Sequence, residues 1–164
     1  MLILSLSAFL GGAVIYDLIS RRIPNLYLAM GLILALILNG LTSGWLGLMS
    51  LGGGFFVGLA MLLPFYVMGG MAAGDVKLMA VVGGFVGLSD VLLAGAYSLI
   101  AGGFLGVLYL ICKGHFGRLL MRCWAMATLH SYIPAEDGDA ARHRFPYAIA
   151  IATGTLLSLY WTPI

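Results

Sequence analysis

The sequence predicts an all-α fold: a polytopic membrane helix bundle of about six transmembrane helices, with a cytoplasmic interfacial amphipathic helix. Three observations predict it. Of the 164 residues, 62% are hydrophobic and 9% charged, where a soluble domain carries roughly a quarter charged. The apolar residues gather into six runs, at 2–19, 26–41, 46–68, 76–88, 91–112 and 146–161. With six crossings, all eight Lys and Arg fall on one side of the bilayer. That side is then cytoplasmic and both termini lie outside. Disorder is excluded by the hydrophobicity, and one integral-membrane domain over 1–164 is expected, with 113–145 as its cytoplasmic loop.

The first run lacks a basic leader and a clear small-residue cleavage site, and reads as a retained helix. A full span takes ~20 residues, so the second, fourth and sixth runs are short and call for tilt or local thinning. In the third run Gly52-Gly53-Gly54 and Pro64 are candidate bends. The run 76–88 covers only part of a bilayer at ~1.5 Å per residue, which places Asp75 below the headgroups. Gly54/Gly58, Gly83/Gly87 and Gly102/Gly106 have the small-xxx-small spacing of close helix packing. In the polar loop, Phe116, Leu119, Leu120, Cys123, Trp124 and Ala127 recur at helical spacing, with Arg118 and Arg122 opposite. That pattern predicts an amphipathic helix in the interface. An acidic, turn-rich stretch follows at 134–139.

The residues that carry chemistry are two aspartates. Asp17 ends the first run and Asp75 begins the fourth, both at the cytoplasmic edge. An ionisable residue at the bilayer is expensive and points to function. Two carboxylates at one depth suggest a shared site. Each has an ordinary alternative. Arg21 sits four residues after Asp17 and offers an i,i+4 pair. Asp75 is suited to an N-cap, with Gly74 easing the turn before it. Lys77 suits an interfacial anchor. The helix dipole disfavours charge on Asp17, near a C-terminus, and favours it on Asp75, near an N-terminus. A meeting pair would share one proton, with Asp75 the more readily ionised, and titrate as a unit.

Other chemistries have less support. The serines lack a His/Asp context. His115, His130 and His143 share the polar loop with Glu136, Asp137 and Asp139, without a recognised ligand spacing, so no metal is assigned. Cys112 and Cys123 form no Cys-x-x-Cys pair. No phosphate-binding glycine motif or long basic patch is present, so no nucleotide cofactor and no nucleic acid is expected.

At the aspartates the chain resembles the type IV leader peptidases, the prepilin peptidases of the GxGD class of intramembrane aspartyl proteases. The matching stretches are Asp17 with the following Arg22-Ile23-Pro24-Asn25; Gly69-Gly70-Met71-Ala72-Ala73-Gly74-Asp75-Val76-Lys77; and Phe145-Pro146-Tyr147-Ala148-Ile149-Ala150. Ala72 stands where the pattern has glycine. Larger relatives carry a cytoplasmic insertion with Cys-x-x-Cys pairs and also methylate the product. Here only 19–25 separates the first two runs, so the resemblance is to the short form serving Tad/Flp-type pili.

The resemblance implies a protease without cofactor. Asp17 and Asp75 would be the catalytic pair, supported by Pro24, Asn25, Ala72, Gly74 and Lys77. The substrate would be a prepilin, cut at its leader on the cytoplasmic face of a bacterial inner membrane, with pilus-assembly machinery and lipid as further partners. Two other readings stay open on the residues alone. One is a proton-coupled transporter, since paired intramembrane carboxylates also mark ion paths. The other is a non-catalytic pilus-assembly subunit.

Overall fold

The computed structural model describes residues 1–112 and 147–161. The described residues form four helical elements: α1 (Leu2–Ser20), α2 (Asn25–Val67), α3 (Ala73–Cys112) and α4 (Ala148–Trp161). By length and composition α1, α2 and α3 can each cross a membrane, and α4 is a shorter apolar helix. The expected interfacial helix and the histidines lie outside the described residues. The chain divides into two units, Met1–Gly102 with Pro146–Ile164, and Gly103–Phe145. The second continues α3 as helix to Cys112, and everything below concerns the first.

The expectation of six separate helices needs correction. The second and third apolar runs join within α2, and the fourth and fifth within α3. Each long element holds one residue with non-helical backbone, Gly44 (φ 56°, ψ −134°) in α2 and Gly87 (φ 85°, ψ −179°) in α3. The sequence reads the first junction as a short loop at 42–45 and places the second at 89–90, two residues beyond Gly87. One glycine suffices for each, because only a residue without Cβ enters positive φ cheaply.

At both glycines the chain folds back. In a straight helix Leu32 and Leu51 would stand ~28 Å apart. Both side chains instead lie 3.6 Å from the place a Cβ would take at Gly84. Gly40 meets Leu48 and Gly47 meets Asn39, as in an antiparallel pair of helices. In α3, Gly83 meets Val91, and Met79 and Met61 both meet Gly95. The second half of α2 then runs antiparallel to the first half of α3, pairing Gly54 with Gly83 and Gly58 with Met79. A Cβ on Gly54 would overlap the Gly83 carbonyl, so these backbones touch through small residues, as membrane helices do.

The turn at Gly87 interrupts the helical ladder, and α2 repairs it. In a continuous helix the Leu88 N–H would bond the Gly84 carbonyl. Here Leu88 N–H donates to Ser50 Oγ at 3.3 Å, and Asn39 Nδ2 donates to Gly84 O at 3.2 Å. Two side chains of α2 thus satisfy the donor and the acceptor that a turn at membrane depth would leave costly.

The remaining helices pack on this frame. α1 lies against α2, with Phe9 stacked on Tyr27 at 4.9 Å between ring centroids and Tyr27 Oη donating to Phe9 O at 2.6 Å. It also packs on α4. α4 runs antiparallel to α3, since Tyr147 meets Gly102 and Gly154 meets Ser98. The interior holds Leu6, Leu10, Leu62, Leu78, Met79 and Ile151, with Ala13, Ala35, Ala94 and Ala148. Large apolar side chains such as Leu26, Leu36, Leu46 and Phe56 face outward, the pattern expected of a chain dissolved in lipid.

Candidate active site

Asp17 and Asp75 are among the few buried polar residues, at 7% and 5% relative exposure. Burial without partners would be prohibitive for a carboxylate. Each therefore has a backbone N–H donor, from different parts of the chain.

Asp75 is served locally. α2 ends at Met68 with Gly69 N–H bonded to Tyr66 O and Gly70 N–H to Phe65 O, and Gly69 at φ 77°. This is a Schellman cap, which needs positive φ at its first residue beyond the helix. Two residues later Ala72 leads into α3. Ala72 N–H donates to Asp75 Oδ2 at 3.3 Å, while Asp75 N–H donates to Ala72 O at 3.1 Å. Asp75 therefore stands at the third position of α3 and reaches back to the preceding amide, as the acidic residue of a capping box does. The N-cap reading shifts by three residues.

The motif alanine is explained by the same geometry. Among the described residues only Gly44, Gly69, Gly87 and Arg21 have positive φ. Ala72 and Gly74 have ordinary backbone angles, so a methyl group at 72 meets no conformational barrier. In this stretch Gly69 is the glycine that the turn requires.

Asp17 is served from far along the chain. α1 stops at Arg21, which takes left-handed angles (φ 49°, ψ 26°) with its N–H on Asp17 O at 2.8 Å. The chain turns out of the helix there, so Arg21 is not a helical i,i+4 partner. Arg21 still attracts Asp17 electrostatically, but the hydrogen bond to the carboxylate comes from Ala148 N–H, at 3.2 Å to Oδ2. Ala148 opens α4, where the first amides lack intrahelical acceptors. Asp17 thus meets a helix N-terminus too, where a negative charge is favoured. The expected ranking, with Asp75 the more readily ionised on dipole grounds, loses its basis.

Consecutive residues at the start of α4 relate to the two aspartates. Ala148 binds Asp17, and Tyr147, directly before it, feels the Asp75 carboxylate electrostatically. The loop between α1 and α2 borders the start of α3: Ile23 is buried, and a Cβ on Gly74 would lie 3.8 Å from it. Pro24 caps α2 in an extended conformation (φ −61°, ψ 136°) and so directs Asn25 into the first turn. Lys77 Nζ donates to Asn25 Oδ1 at 2.9 Å, joining the starts of α2 and α3 on the exposed rim.

The motif residues are thus gathered around two buried carboxylates at the ends of apolar helices. The model of the type IV leader peptidase family matches residues 4–109. The chain belongs to the type IV leader peptidase family. No curated protein and no solved structure gives a significant match. Both aspartates of this leader peptidase, with Pro24, Asn25, Ala72, Gly74 and Lys77, fall inside the matched stretch; Tyr147 and Ala148 fall outside it. Sequence reasoning missed Asn39, Ser50 and Ser98, whose polar atoms hold the frame behind the site, and the Ala148 amide. Asn39 and Ser50 carry a faint signal, as polar residues inside apolar runs.

Proposed function

We propose that this chain is an intramembrane aspartyl endopeptidase that removes the leader of a type IV prepilin of the Tad/Flp class, with Asp17 and Asp75 as its catalytic pair. The observation that supports the reading is the burial of both carboxylates, with Asp17 bonded by Ala148 N–H and the adjacent Tyr147 within electrostatic range of Asp75. One carboxylate is ionised and takes a proton from water as the water oxygen attacks the scissile carbonyl carbon. The other is protonated and donates to the carbonyl oxygen. Collapse of the tetrahedral species breaks the C–N bond, and the leaving nitrogen takes a proton from the pair.

The reading includes six crossings, four of them formed by α2 and α3 folded at Gly44 and Gly87. The one-sided distribution of basic residues supports a dyad at the cytoplasmic face of an inner membrane. Single-glycine turns on the opposite side and the Lys77–Asn25 rim on this side support that arrangement.

The test is cleavage of a co-expressed prepilin. Wild-type chain should shorten it by its leader, and Asp17→Ala should leave it full length while inserting normally. Leader removal at equal rates by both would rule out the dyad. For orientation, a cysteine at Ala140 in a chain without native cysteines should react with an impermeant thiol reagent only after permeabilisation. Labelling in intact cells would reverse the topology.

A further inference from the structure

Tyr147 makes two contacts with α3. Its hydroxyl donates to Ser98 O at 3.2 Å, and its ring lies over Gly102 so closely that a Cβ there would overlap the ring carbons and the hydroxyl. Both partners are on α3. Ser98 is fully buried, and its own hydroxyl bonds Ala94 O at 2.6 Å. Gly154, two turns into α4, abuts the Ser98 backbone. The start of α4 is therefore fixed to α3 by this aromatic side chain, in a seat that only glycine provides, and one turn further on by Ser98 Oγ donating to Ile151 O at 3.4 Å. The residue after that side chain carries the amide on Asp17.

We propose that Tyr147 is a positioning residue: its ring, seated over Gly102 and tied to Ser98, holds the Ala148 N–H on the Asp17 carboxylate. The proposal rests on the reading of Asp17 as half of the catalytic pair. The first amides of a helix have no intrahelical acceptor, so a small rotation of α4 would carry this donor off its target without breaking any bond inside the helix. Gly102 acts through Tyr147, because the atoms nearest a methyl group there all belong to that ring and its hydroxyl. A Tyr ring can yield by moving, so the substitution leaves the fold intact and shifts what the ring holds.

The test uses Gly102→Ala, Tyr147→Leu and the double variant, with two readouts on the full chain in lipid nanodiscs. The first is amide hydrogen exchange. The Ala148 amide should be protected in wild type and exposed in Asp17→Ala. Each clamp variant should speed its exchange about tenfold, the scale for one hydrogen bond to a charged group. Amides deeper in α4, such as Ile151, should stay protected. The second is prepilin cleavage: kcat should fall about tenfold with KM within about twofold. The double variant should match Tyr147→Leu, because the new methyl has nothing to push once the ring is gone.

Unchanged Ala148 exchange in Gly102→Ala, or single effects that multiply in the double variant, would overturn the clamp. Uniform loss of protection along α4 would also overturn it, since that marks general loosening. Exchange behaves independently of the protease reading. If it follows the pattern while wild-type chain cleaves no prepilin, the clamp stands and the protease reading fails. If wild type cleaves, Asp17→Ala does not, and exchange is unmoved, the protease reading stands and the clamp fails.

Discussion

Asp75 takes its backbone donor from three residues upstream, and Asp17 takes its own from 131 residues downstream. The Asp75 geometry is written into a Schellman turn and a capping box, local motifs that form with the helix they cap. The Asp17 geometry exists only when α4 has docked on α1 and α3. Two carboxylates of one type, equally buried, are thus held by a local and a non-local device. The local one tolerates change around it, and the non-local one depends on the packing of the whole bundle.

Loss of either carboxylate tests whether the two devices serve one site. Asp17→Asn and Asp75→Asn should each reduce leader cleavage by about 10²- to 10⁴-fold, with normal membrane insertion. Near wild-type processing by either variant would separate the residues and end the comparison.

A pair of prolines tests the devices themselves, since proline removes a backbone donor. Ala148 is at the first position of α4, where proline suits a helix. Ala148→Pro should cost about 1.5–3 kcal/mol of stabilisation at Asp17, or about ten- to a hundredfold in kcat. Ala72→Pro removes a longer, half-buried bond and should cost about fivefold. Steady-state kinetics on the two variants would show the order, and a reversed order would mean that the local cap is the critical one.

On the exposed rim, Lys77→Met cuts the bond to Asn25 and leaves both carboxylate donors in place. A surface hydrogen bond contributes about 0.5–1 kcal/mol, so processing should fall no more than about fivefold. A larger loss would give Lys77 a direct part in binding substrate. The smallest effect is expected at the motif alanine. Ala72→Gly should stay within about twofold of wild type, because the backbone there is ordinary. Ala72→Val should be slower, because a β-branched side chain restricts the turn into α3. Identical rates for all three would show that this loop does not set the Asp75 geometry.

How much of this was legible in the sequence follows the same division. Asp17 and Asp75 stand out because charge is scarce in apolar runs, and the motif around Asp75 is contiguous. Apolar runs also delimit the helices, but a sequence does not tell a loop from a one-glycine reversal: Gly44 falls between two runs, whereas Gly87 lies inside the run 76–88 and reads as a packing glycine. Arg21 attracts Asp17 as its spacing suggests, but from the left-handed end of α1 rather than from a continuing helix. The Ala148 contribution was invisible, since a backbone amide has no letter of its own. Glycine's requirement at position 69, rather than 72, depends on φ values that only the fold supplies.

The 131-residue span between Asp17 and its donor also has a meaning in time. At synthesis rates of about 5–20 residues per second, Ala148 is made roughly 7 to 26 s after Asp17. Asp75 enters the nascent chain part-way through that interval, and until Ala148 follows, Asp17 lacks its backbone donor. The backbone donor of Asp17 is thus the last part of this arrangement to be synthesised.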